Sequence, residues 1–183
     1  AFKYDGELIG VPHVDLVDFD SLIGIDFQKQ TLIENTRTFV EGKPANNVLL
    51  FGDRGTGKSS SVKALLKMFA DDGLRLVELP KQYIKDIPSL IKELSKKPHK
   101  YILFLDDLSF EAEEPEYKSL KIAMEGQLQA HPENVLIYAT SNRRHLVKET
   151  WSDRQGDDVH QNDQIQETLS LSERFGISLV FSA

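Results

Sequence analysis

Leu49-Leu50-Phe51-Gly52-Asp53-Arg54-Gly55-Thr56-Gly57-Lys58-Ser59 is the stretch on which the reading of this chain turns. Its spacing, Gly-x-x-x-x-Gly-Lys-Ser, is that of a phosphate-binding loop. Glycines let the backbone come close to an anion without a Cβ in the way. Successive N–H groups in such a loop form a nest around phosphate oxygens. A helix beginning near Lys58 would point its partly positive end at the same place. Lys58 supplies a mobile charge for β- and γ-phosphates, and the Ser59 hydroxyl suits Mg²⁺, which takes hard oxygen ligands. The candidate nucleotide-binding residues are therefore Gly52, Asp53, Arg54, Gly55, Thr56, Gly57, Lys58, Ser59 and Ser60, with ATP and Mg²⁺ as the expected ligands.

The flanks distinguish this reading from a Gly-rich turn. Residues 48–51 are an apolar run that fits a buried strand. Residues 60–70 set Val62, Leu65, Leu66 and Phe69 at helical spacing, and Asp71-Asp72-Gly73 stops the helix. A turn that only joined strand to helix has no packing reason to end in Lys-Ser.

Upstream, residues 27–40 carry Leu32, Ile33, Thr36, Phe39 and Val40 at helical spacing, and Gly42 and Pro44 end that helix. Residues 1–20, punctuated by Gly6, Gly10 and Pro12, read as an irregular arm, which leaves 21–183 as the nucleotide-binding core. Downstream, strands are expected at 74–79, 101–105, 135–139 and 177–181. Helices are expected at 87–97, opened by Pro88, at 117–130, closed by Pro132, and at 165–171. The strands are continuous apolar runs that alternate with helices. That predicts an α/β fold with a five-stranded parallel sheet covered by helices on both faces. Ligands of such sheets bind beyond the carboxyl ends of the strands.

Composition narrows the class. The 183 residues suit one domain, and 40% hydrophobic residues suffice for a core. The absence of Cys excludes disulfides and thiolate metal sites and suits a reducing compartment, so a cytoplasmic location is expected. No apolar run approaches the roughly 20 residues of a membrane-spanning helix, and no signal peptide is visible. A net charge of −7 and a pI near 5.3 argue against a broad nucleic-acid surface. Arg143-Arg144-His145 with Lys148 is a local basic cluster, open to phosphate, a neighbouring subunit or nucleic acid, or else a solvated loop. The polar stretch 149–163 around Trp151 has no legible role beyond a candidate partner-facing loop. The five His show no metal spacing. Ala1 is not Met, which is what a fragment of a longer chain would show.

The other candidate site residues stand at strand ends. Asp106 and Asp107 follow the apolar run 101–105. Asp106 is placed to hold Mg²⁺ opposite Ser59, and Asp107 to polarise an attacking water. Two acids ending a strand in solvent is the plainer alternative. Asn142 ends the next strand, as a contact for the γ-phosphate or water, or as a turn or cap Asn. The strand–helix unit at 74–97 separates the loop strand from the Asp106 strand. In phosphate-loop proteins this suggests an extra strand between the two central ones and the branch with an added catalytic acid. Small-molecule kinases of the superfamily usually lack it.

With these motifs assembled, the chain resembles an AAA+ ATPase core from about residue 17 to 183, nearest to an uncharacterised bacterial family of predicted ATPases. The 52–59 loop resembles Walker A and the 101–107 stretch Walker B. Asn142 falls where the family places sensor 1. Leu22-Ile23-Gly24 resembles the segment whose backbone contacts adenine, which adds Ile23 and Gly24 to the nucleotide site. Ser172-Glu173-Arg174-Phe175 resembles the box ending in an arginine finger, which implies a homo-oligomer in which Arg174 acts on a neighbour's nucleotide. A local pairing of Arg174 with Glu173 or Asp163 is the alternative.

Two departures from the pattern stand out. Asp106-Asp107 replaces the usual Asp-Glu, as in initiator and helicase-loader AAA+ proteins, and the shorter Asp107 reaches water less easily. The chain stops at Ala183, where a helical lid with a sensor 2 Arg would follow, so the C-terminal lid is expected to be absent. The resemblance implies an ATPase that couples Mg-ATP binding and hydrolysis to conformational change in an unidentified partner. Lys58, Asp107, Asn142 and Arg174 would be catalytic, and Ser59 and Asp106 would hold the metal. The competing readings are a nucleotide-gated interaction module with negligible turnover, and a small-molecule kinase, which the inserted strand disfavours.

Overall fold

Apolar runs too short for a helix must bury both faces, and they do so here as a parallel sheet. In chain order the elements are β1 (Phe2–Tyr4), β2 (Leu8–Gly10), α1 (Asp26–Val40), β3 (Val48–Gly52), α2 (Lys58–Phe69), β4 (Leu74–Glu78), α3 (Ile87–Leu94), β5 (Lys100–Leu105), α4 (Pro115–Met124), β6 (Val135–Ser141) and β7 (Ile177–Phe181). This computed structural model describes residues 1–111, 114–125, 132–142 and 171–182. The basic cluster at 143–148, the 149–163 stretch, most of the expected 165–171 helix and the end of the expected 117–130 helix lie outside the described residues.

The strand order is β2-β1-β4-β5-β6-β3-β7. The five expected strands are present and mutually parallel, with β3 between β6 and β7, and β5 between β4 and β6. The sheet has seven strands rather than five, because the arm read as irregular contributes two. β1 pairs in parallel with β4, and β2 folds back antiparallel on β1. Each has three residues, too few to show a period, and Gly6 at φ 77° makes the turn between them. Tertiary contacts hold this hairpin where local pattern does not. The Tyr4 hydroxyl donates to Asp86 at 3.3 Å, the Tyr83 hydroxyl donates to Asp5, and the two rings meet edge to face at 5.4 Å.

A second correction concerns the inserted unit. A strand does separate β3 from β5, but it is β6, which carries Asn142 just past its end, while β4 of the insertion lies beyond β5. The chain steps outward past two positions and fills the gap later. Helix ends also moved. A 3₁₀ turn over Lys81–Asp86 leads into α3, which stops at Leu94, and α4 opens at Pro115, two residues before the expected start.

Period-2 alternation divides the strand side chains between two cores. Leu49, Leu103, Leu105, Ile137 and Ala139 pack with Leu90 and Leu94 of α3 and Tyr117 and Leu120 of α4. Val48, Leu50, Ile102, Phe104 and Tyr138 face the other way, against Leu32 and Phe39 of α1 and Val62, Leu65, Leu66 and Phe69 of α2. Each fully buried aliphatic or aromatic side chain contributes about 1.5–3 kcal/mol. The tips of β3, β5 and β6 are thus carried on a sheet clamped from both sides. Among the described residues no helix is long and apolar enough to cross a membrane.

Candidate active site

The loop between β3 and α2 leaves the sheet at Gly52, where only glycine fits. Its φ is 132°, and a Cβ there would stand 1.9 Å from the Phe181 carbonyl oxygen of β7. The next amide, Asp53 N–H, donates to that same oxygen at 2.8 Å. The Thr56 hydroxyl donates back to the Asp53 carbonyl at 2.7 Å and closes the loop. Gly57, at φ 91°, starts α2. Its carbonyl accepts both the amide and the hydroxyl of Ser61, each at 2.8 Å. The amides of Lys58, Ser59 and Ser60 are those that a helix start leaves without intrahelical acceptors. They stand at the positive end of the helix, in the segment that follows β3.

Lys58 is 6% exposed. Its ammonium donates to the carbonyls of Gly52, at 2.9 Å, and Asp53, so the loop wraps around it. Burial lowers its pKa below the ordinary lysine value, while Asp107, Asp53 and Asp106 pull the other way. A buried cation that loses more from desolvation than it gains from three carboxylates is under-compensated, and added negative charge would suit it.

Across from the loop, the Ser59 hydroxyl donates to Asp106 Oδ1 at 2.6 Å. The Thr140 hydroxyl donates to the same oxygen at 2.6 Å. Asp106 Oδ2 has no hydrogen bond among the described residues. A hydroxyl and a carboxylate, both hard donors, converge here. Among the described residues no three His, Cys, Asp or Glu side chains cluster as a metal cage. That donor set fits Mg²⁺, which keeps water and phosphate ligands and takes one or two from protein.

Asp107 is the one non-glycine residue at positive φ among those described, at 54°. Its amide donates to Thr140 Oγ1 at 2.8 Å, and Asn142 Nδ2 donates to its Oδ1 at 2.7 Å. The structure therefore brings Lys58, Ser59, Asp106, Asp107 and Asn142 into one cluster. Sequence reasoning did not single out Thr140. The available signal was alternation, since residues 140 and 142 fall on the same side of an extended strand.

Ile23 and Gly24 stand beside the loop. Leu22 Cδ2 lies 3.5 Å from where a Gly57 Cβ would be, and Gly24 has φ 79°. The Ile23 side chain is 91% exposed. Arg54 is exposed on the loop's outer rim. Arg174 is elsewhere engaged. Its Nη2 pairs with Glu125 Oε1 at 2.6 Å, past the end of α4, and its buried Nε has no hydrogen-bond partner among the described residues. Glu125 was not among the partners expected for it. Glu173 is exposed, and Asp163 lies outside the described residues.

Solved structures share this architecture. The Aeropyrum pernix Orc1 protein, in complex with DNA, superposes with a TM-score of 0.59 at 17% identity, over 88% of this chain and 46% of that one. PCH-2 of C. elegans gives 0.59 at 20% identity, over 93% and 46%. The Thermotoga maritima RuvB Holliday junction branch migration motor gives 0.53 at 16% identity, over 90% and 47%. The chain thus spans a little under half the length of each. Together with the sheet order, these likenesses establish the fold as that of an AAA+ P-loop core. A family model described as "Protein of unknown function (DUF815)" matches residues 1–183, and the chain belongs to that family.

Proposed function

We propose that this chain is the ATP-binding core of an AAA+ ATPase that hydrolyses Mg-ATP and passes the resulting conformational change to a partner. The observation that carries the reading is the 2.6 Å contact between Ser59 Oγ and Asp106 Oδ1 at the head of α2. It joins the phosphate loop and the β5 tip at one metal-sized point beside a buried lysine. Turn chemistry alone gives no reason for that convergence.

The residues divide the work. Loop amides 54–60 and the α2 dipole hold the β- and γ-phosphates. Lys58 exchanges its loop carbonyls for phosphate oxygens and so regains the charge partner that burial denies it. Ser59 and Asp106 would hold Mg²⁺, which when bound neutralises charge on the phosphates. Asp107 takes a proton from the attacking water as its oxygen bonds to the γ-phosphorus and the bond to ADP breaks. Asn142, already on Asp107 Oδ1, fixes that carboxylate. Ile23 and Gly24 offer backbone to the base.

A second reading, a nucleotide-gated interaction module with little turnover, draws on Arg174. Its pairing with Glu125 of its own chain competes with a role in a neighbour's site. One experiment separates the readings. Nucleotide binding is measured by calorimetry with Mg²⁺, and phosphate release is followed across protein concentrations. Binding lost in Lys58→Ala, with release rising steeply with concentration, supports the ATPase acting as a homo-oligomer through Arg174. Binding without release at any concentration supports the module. No binding by the parent chain refutes both.

A further inference from the structure

We propose that Thr140 is a positioning residue for the metal-binding and water-activating carboxylates, an inference that rests on the ATPase reading above. Thr140 makes hydrogen bonds to three successive residues of the facing strand end. Its hydroxyl donates to Asp106 Oδ1 at 2.6 Å and accepts the Asp107 amide at 2.8 Å. Its carbonyl accepts the Leu108 amide at 2.8 Å. A single hydroxyl has one proton to give and lone pairs to receive, and both capacities are spent on the two acids.

The geometry has consequences for each acid. Asp106 Oδ1 takes the hydroxyl protons of both Ser59 and Thr140, while Oδ2 has no hydrogen bond among the described residues. The carboxylate is thereby fixed in orientation with one oxygen left over for a cation. Asp107 sits at φ 54°, a left-handed conformation that Asp tolerates better than most non-glycine residues and that hydrogen bonds can hold in place. Two bonds from Thr140 flank it, one to the Asp107 amide and one to the Leu108 amide. Thr140 is 2% exposed and β-branched, so its χ1 is restricted and its hydroxyl has little freedom to turn away. Ser141 is the internal comparison. Its hydroxyl also ties the two strand ends together, donating to the Leu108 carbonyl at 2.7 Å, but that bond reaches neither carboxylate.

The test compares Thr140→Val, which keeps shape and loses the hydroxyl, with Thr140→Ser, which keeps the hydroxyl, and with Ser141→Ala. A fluorescent ATP analogue reports binding, first in EDTA and then during Mg²⁺ titration. Amide hydrogen exchange at residues 107–108 is followed in the same samples. For Thr140→Val the EDTA affinity stays within about twofold of the parent. The half-saturating Mg²⁺ concentration rises roughly tenfold, the scale of one hydrogen bond to a charged group, and the Asp107 amide loses protection. Thr140→Ser restores both readouts, and Ser141→Ala moves the Mg²⁺ requirement less than about twofold. If Thr140→Val does not fold, Thr140→Cys replaces it, with a weaker thiol donor and a shift of about threefold. A valine variant with the parent's Mg²⁺ requirement overturns the assignment. So does an equal shift in Ser141→Ala, which would make the effect one of strand-end cohesion alone. A parent chain that binds the analogue identically with and without Mg²⁺ refutes instead the metal-nucleotide reading, and the role of Thr140 falls with it.

Discussion

Asp107→Asn tests the water-activating role most directly, because the structure says what else the substitution changes. Residue 107 has φ 54°, and Asn tolerates this left-handed region at least as well as Asp. The new amide retains an oxygen that can accept from Asn142 Nδ2, now 2.7 Å from Oδ1. That bond weakens from charge-assisted to neutral at a solvent-exposed site, so the loss is below about 1 kcal/mol. For a domain of this size the midpoint of thermal unfolding then falls by less than about 3 °C. One negative charge leaves the neighbourhood of the phosphates, so nucleotide affinity holds or tightens. Loss of a general base costs about 10²–10⁴ in rate. The assay pairs steady-state phosphate release with analogue binding and a thermal melt on the same preparation. Intact melting, intact binding and release within about threefold of the parent would refute Asp107 as the base. Asp107→Ala is the poorer experiment, since a residue without a polar side chain pays about 1–2 kcal/mol for the same backbone angle.

Gly52→Ala drives a Cβ to 1.9 Å from the Phe181 carbonyl and forces β7 off β3, so chemical denaturation should show a loss of about 3 kcal/mol or more; a variant within about 1 kcal/mol of the parent contradicts the close approach. Tyr138→Phe removes the hydroxyl that accepts from Asn35 at 2.8 Å and bonds Thr36 at 2.9 Å, at a cost of about 1–3 kcal/mol near neutral pH. Burial pushes the Tyr138 phenol up to about 12 from an ordinary 10. Its folded pKa is raised, so the stability linked to its proton is complete below pH 10 and is lost as pH rises toward 12. The parent should therefore lose roughly 2–3 kcal/mol relative to the phenylalanine variant in that window, closing or reversing the gap, as read from denaturant midpoints, and a constant gap would contradict the buried phenol.

The parts of this fold legible in sequence are those with strong local cause. The apolar run before Gly52 and the Lys58-Ser59 pair after Gly57 announce strand, loop and helix without tertiary information. Asp106 and Asn142 became candidates because they stand at the ends of apolar runs, and parallel sheets bind ligands there. The hairpin of β1 and β2 was missed because three-residue strands have no readable period. Its support comes from Tyr83 and Asp86, about 80 residues away. The position of β4 beyond β5 was misjudged because sequence adjacency says little about sheet order once crossovers can skip positions. Arg174 shows the same limit at one residue. Its motif made it a candidate, but its partner Glu125 lies 49 positions away at the end of α4, where no spacing rule points.

The short acid at 107 is the feature that sequence raised as a doubt and structure explains, and Asp107→Glu turns the explanation into a measurement. By reach alone, Glu should serve water activation better, being one methylene longer. The backbone argues otherwise. At φ 54° a short side chain can hydrogen-bond locally and relieve the conformation, whereas a longer one gains nothing from it and pays about 1 kcal/mol. The bond from Asn142 at 2.7 Å is fitted to a carboxylate close to the main chain, and a longer one carries its oxygens past that amide. The Glu variant should melt about 2–4 °C lower, bind the ATP analogue as the parent does, and hydrolyse more slowly. If it hydrolyses faster with the parent's melting point, reach limits the site, and the left-handed turn at 107 is not the reason an aspartate stands there.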